Sequence, residues 1–152
     1  NANDNGGGQV VASGSKAAVD KAIEIAKGKG AKRAMLLAVS APFHCALMQP
    51  AADAMAEALA TTNIVAPKVP VVANVVASAV SDPAVIRELL VKQVTGTVRW
   101  RECVGYMAAN GCDRFVELGA GKVLTGLVKR LAEGATGISV GAPADVEAYK
   151  AS

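Results

Sequence analysis

Short apolar runs and amphipathic helical stretches take turns along these 152 residues, and that alternation constrains the fold more than any single motif. A helix between two strands returns the chain to the same end of a sheet, so such sequences build mainly parallel sheets covered on both faces. The spacing predicts a strand over 9–13 and a helix after Ser15. Val19, Ala22, Ile23 and Ala26 form that helix's apolar stripe, and a second strand returns over 33–39. Helices are expected over 51–60, from Asp82-Pro83 to about Gln93, over 100–110, over 122–131 and near 145–150. Strands are expected over 69–76, 113–118 and 138–140. Residues 1–8, rich in Asn and Gly, read as turn.

Composition narrows the class. Hydrophobic residues make up 52%, yet only two Phe, two Tyr and one Trp are present, so the core is built from Ala, Val, Leu and Ile, as in α/β proteins. The net charge of +3 is spread along the chain, which is no nucleic-acid signature. Three cysteines without a C-x-x-C pair, and a single histidine, give no metal-binding pattern. Free thiols fit a cytoplasmic protein. No run approaches the roughly 20 apolar residues of a membrane span, and no secretory signal is present. The chain opens Asn-Ala-Asn-Asp and reads as a piece of something longer.

The only histidine, His44, lies in Ser-Ala-Pro-Phe-His-Cys-Ala-Leu-Met (40–48), just past an expected strand, where α/β folds place functional loops. An imidazole can take and give a proton near neutral pH, which makes His44 the first candidate for acid–base work. To act as a base it needs an acceptor on its other ring nitrogen. No carboxylate precedes Asp53 nearby, so the partner comes from a distant part of the chain, a backbone carbonyl being one option. Cys45 cannot readily meet His44 from the adjacent position and reads as a small buried residue. Gly119-Ala-Gly-Lys122 reads as a tight strand-to-helix corner, with a minor ligand role left open for Lys122. No G-x-S-x-G occurs, so an elbow-mounted serine is absent from these residues.

Four blocks in order carry a family likeness: Gly8-Gln-Val-Val-Ala-Ser-Gly14; 40–48 with Pro50 and Ala51; Gln93 followed by Val98-Arg-Trp100; and Val116-Glu-Leu-Gly-Ala-Gly-Lys-Val-Leu-Thr-Gly-Leu127 with Lys129-Arg130. Together they resemble the C-terminal half of the malonyl-CoA:acyl carrier protein transacylase family, which is related to polyketide synthase acyltransferase domains. The resemblance implies an α/β fold in two parts. Residues 1–39 would be the later β-α-β part of an inserted ferredoxin-like small subdomain. Residues 40–152 would be the C-terminal part of an α/β-hydrolase-like large subdomain.

The same resemblance implies ping-pong transfer of a malonyl group from coenzyme A to the phosphopantetheine thiol of acyl carrier protein in fatty-acid biosynthesis. His44 would serve as general base and acid, oriented by the Gln93 backbone carbonyl, and no cofactor or metal would be needed. Phe43 would favour malonyl over α-methyl substrates by bulk, and Asn3 would lie near the active site. The nucleophilic serine would belong to a missing N-terminal segment, leaving these residues inactive by themselves. Ala120 departs from the family's usual Pro in the Gly-Pro-Gly turn. Two other readings stay open: a non-catalytic module binding acyl carrier protein or coenzyme A, and a polyketide-type acyltransferase domain.

Overall fold

A computed structural model describes residues 1–151. Asn3–Gly6 (β1) and Gln9–Val11 (β2) form an antiparallel hairpin whose tip is Gly6-Gly7-Gly8, all at positive φ. Ser15 then caps Lys16–Gly28 (α1), its hydroxyl accepting from the Ala18 N–H. A 3-10 turn, Ala46–Met48, runs directly into Gln49–Ala60 (α2). A small antiparallel hairpin follows, Val71–Ala73 (β3) with Ser78–Val80 (β4), turned by Ala77 at φ 52.

Asp82 caps Pro83–Thr95 (α3) by accepting from the Ala84 and Val85 amides at 2.7 and 3.1 Å. Proline fits the first turn because its missing N–H has no partner to lose there. Trp100–Ala109 (α4), Arg114–Leu118 (β5), Val123–Leu131 (α5), Thr136–Val140 (β6) and Pro143–Lys150 (α6) complete the chain. β5 and β6 pair in parallel with α5 as their crossover, an α/β unit of the expected kind.

Three expectations are corrected. Residues 1–8 are not all turn: β1 pairs with β2, and Asn3 also bridges Val98 in parallel. Residues 33–39 form no ladder, and Met35, Leu36, Leu37 and Val39 are about half exposed or more. The expected mainly parallel sheet gives way, among the described residues, to three two-stranded sheets, of which only β5–β6 is parallel. Two of the pairs are local hairpins and the third is a strand–helix–strand unit, and no ladder joins one pair to another among the described residues.

The buried core is small for a chain this apolar. Its largest fully buried side chains are Cys103 and Val104 of α4 and Val128 of α5. Ala52 of α2 and Leu89 of α3 are buried in those two helices, which pack together. No helix among the described residues is long and apolar enough to cross a membrane.

Candidate functional site

Helix α3 places one end of the site. The last four carbonyls of a helix lack intrahelical partners. Here the Gly96 amide takes the Lys92 carbonyl at 2.9 Å, and the Gln93 side-chain amide donates to the Gly96 carbonyl at 3.0 Å. The Gln93 carbonyl is left for a partner from elsewhere. That partner is His44: its Nδ1 lies 3.0 Å from Gln93 O, across 49 residues of sequence. A carbonyl only accepts, so Nδ1 carries the proton and Nε2 holds the lone pair. His44 is thus held in the tautomer a general base needs, without a carboxylate.

The loop bearing His44 is shaped to reach that carbonyl. The 3-10 turn after it packs on both α2 and α3. His44 itself adopts φ 58, a left-handed conformation that non-glycine residues rarely take. Such conformations cost about 1–3 kcal/mol, are sustained by their surroundings, and cluster at functional sites. Beside it, Cys45 is half-buried and donates its thiol to the Pro42 carbonyl at 3.1 Å. The expectation of a simply buried Cys45 is corrected: it is half-buried, and its thiol donates across the turn. Phe43 is 44% exposed next to His44, so it is not consumed by core packing among the described residues.

The N-terminal hairpin is fastened to the segment that follows Gln93. The Val98 N–H donates to Ala2 O and the Asp4 N–H to Val98 O, while the Thr97 hydroxyl donates to Asn1 O. Arg101 donates twice to one oxygen of Asp4, at 2.9 and 2.7 Å, and this pairing holds the Asp4 carboxyl below its ordinary range. Asn3 therefore sits in the strand that braces residues 97–98, four or five positions past Gln93. No hydrogen bond joins Asn3 to His44 among those described.

The glycine corner is closed rather than open. The Glu117 carboxylate accepts from the Thr125 and Leu124 amides at the start of α5 and from the Thr125 hydroxyl at 2.7 Å. Those bonds, the Thr125 amide foremost, hold its carboxyl below the usual range. The helix N-terminus thus already has its anion, which leaves Lys122 no phosphate cradle to serve. The capping role of Glu117 escaped the sequence, because a carboxylate six residues before a helix lies outside the usual capping positions. At Gly96 the chain is crowded: a Cβ there would meet Lys92 O and Val75 Cγ2, each at 2.8 Å. Among the described residues no group of three or more His, Cys, Asp or Glu could hold a metal ion.

An acyl transferase domain family model matches residues 1–144. The chain belongs to the acyl transferase domain family. Within it, the chain is 47% identical over 146 residues to the malonyl CoA-acyl carrier protein transacylase of Salmonella typhimurium, covering 96% of this chain and 47% of that protein. The acyl-carrier-protein-S-malonyltransferase of Bartonella henselae superposes with a TM-score of 0.92 at 56% identity, over 97% of this chain and 47% of that one. A malonyl-transacylase solved in complex with its type II PKS acyl-carrier protein gives a TM-score of 0.85 at 41% identity, over 91% and 45%. The chain therefore spans about half the length of the relatives it matches.

Proposed function

We propose that this chain is the histidine-bearing part of a malonyl-CoA:acyl carrier protein transacylase acting in cytoplasmic fatty-acid synthesis. The observation that carries the proposal is the Nδ1-to-carbonyl bond between His44 and Gln93, in a chain so similar to malonyl transferases. On the finer map, residues 1–39 belong to a ferredoxin-like small subdomain and 40–152 to an α/β-hydrolase-like large one.

The chemistry follows from the ring. His44 Nε2 takes the proton of a serine hydroxyl supplied by the other half of the protein. The serine oxygen bonds to the malonyl thioester carbon, the C–S bond breaks, and the departing coenzyme A sulfur receives the proton from His44. In the second half-reaction the phosphopantetheine thiol of acyl carrier protein gives its proton to Nε2 and attacks the acyl-serine. The serine oxygen then recovers a proton from His44. The partially charged end of α3 and the Gln93 carbonyl face the ring throughout, which supports the imidazolium that forms at each step. Phe43, exposed beside the base, crowds an α-methyl group and so favours malonyl. Asn3, on the strand bracing residues 97–98, is the second substrate-binding candidate.

The test is intact-mass analysis of the complete protein mixed with malonyl-CoA alone. A malonyl adduct on a serine outside this chain, discharged by added acyl carrier protein, is the expected result. Acyl transfer with no such adduct overturns the ping-pong reading.

A further inference from the structure

His44 is held from two sides, and only one of them is the orienting carbonyl. We propose that Cys45 is a positioning residue for His44: its thiol straps the Pro42–Cys45 turn shut and so holds the histidine in the left-handed conformation that lets Nδ1 reach Gln93. This deepens the proposed acyl transfer and rests on it.

Four observations carry the argument. Pro42 and Cys45 are the first and last residues of a four-residue turn. In ordinary β-turns the backbone N–H of the last residue closes the loop onto the first carbonyl. Here Phe43 and His44 are the central residues of such a turn, and the Cys45 Sγ–H adds a donor to the same Pro42 carbonyl, at 3.1 Å. His44 occupies the third position at φ 58, the place where a turn with positive φ favours Gly or Asn. The Cys45 carbonyl meanwhile accepts from the Met48 amide at 2.9 Å, which anchors the turn to the 3-10 segment leading into α2.

A histidine in this conformation relaxes to ordinary φ unless something opposes it, and relaxation swings the ring away from α3. The Gln93 carbonyl opposes it at the ring, and the thiol opposes it at the backbone. A thiol is a weak donor, so the strap is adjustable chemistry. A hydroxyl preserves it, a methyl abolishes it, and an alkylated sulfur cannot donate at all.

The experiment compares Cys45→Ser and Cys45→Ala with wild type in the complete protein. Three readouts are taken: kcat and KM for malonyl-CoA, the pH profile of kcat, and the ¹⁵N tautomer signature of His44, assigned by its loss in His44→Asn. Cys45→Ala is expected to lower kcat about tenfold with KM unchanged, to shift the profile's basic-group limb, and to mix the His44 tautomers. Cys45→Ser is expected to stay within about twofold of wild type with one Nδ1–H tautomer. Wild-type kcat and a single tautomer in Cys45→Ala, or equal losses in the Ser and Ala variants, overturns the strap. The tautomer readout decides the matter even where a variant loses stability, because it is taken on the folded fraction. Failure of the general-base reading shows differently, as an active His44→Asn enzyme, whatever Cys45 does.

Discussion

Adding one methyl group at Gly96 should damage catalysis through geometry alone. Gly96 ends α3 at φ −85 and ψ 151, an extended conformation that alanine adopts freely, so the backbone carries no penalty. The cost is steric. The new Cβ would lie 2.8 Å from the Lys92 carbonyl oxygen and 2.8 Å from Val75 Cγ2, where ordinary contact begins at 3.4 Å. Opening that gap takes roughly 0.6 Å, and overpacking of this kind costs about 1–3 kcal/mol. One of the crowding atoms is the carbonyl just before Gln93, so the movement passes into the peptide that orients His44. Misplacement by about 1 Å costs on the order of 100-fold in rate, so 0.6 Å corresponds to roughly 10- to 20-fold in kcat.

The control for that experiment is Gly105→Ala, in the interior of α4, where a Cβ meets nothing within 4 Å. It should gain about 0.5–1 kcal/mol of stability and keep wild-type turnover. The assay pairs steady-state malonyl transfer by the complete protein with thermal melts of each variant. Wild-type kcat in Gly96→Ala, or an equal loss in Gly105→Ala, would refute the reasoning.

Asp82→Ala removes both cap bonds at the start of α3 and should cost about 0.5–2 kcal/mol, seen as a lower urea midpoint with unchanged kcat per folded molecule. Glu117 is an acid whose folded pKa is depressed by the Thr125 and Leu124 amides. Its contribution is therefore present in full above its ordinary value of 4.5 and is lost as pH falls through the lower folded value. Urea midpoints of wild type and Glu117→Gln should accordingly differ at neutral pH and converge below pH 4.5, and parallel curves down to strong acid would contradict the capping role.

Where local chemistry decides, the sequence was legible. Ser15 and Asp82 announce α1 and α3, and Asp82-Pro83 sets the start of α3 to the residue. The run at 113–118 became β5 because its apolar residues pair with β6 under α5. Pairing between distant segments left weaker signals. Asn-rich β1 is a strand because its backbone pairs with β2 and with Val98, something no propensity encodes. The run 33–39 has strand composition but no ladder, since β character is realised only against a partner. β4 and its turn were hidden because Ala77 takes a positive φ that sequence rules assign to glycine or asparagine.

The site followed the same division. His44 stood out as a titratable side chain in a stiff loop, and the family likeness pointed to Gln93. The Cys45 thiol bond to Pro42, the Gly96 contact and the Glu117 cap are three-dimensional facts with no sequence spacing to reveal them.

The central claim is that His44, held by a carbonyl, moves the proton in each half-reaction. Rapid-quench measurement of the acyl-enzyme burst in the complete protein, wild type against His44→Asn, tests it most directly. Asparagine tolerates the left-handed backbone at position 44, so the loop keeps its shape while the base is lost. The account predicts a burst of coenzyme A release in the wild type and acylation slowed about 100- to 10,000-fold in the variant. Acylation of His44→Asn at the wild-type rate would contradict it.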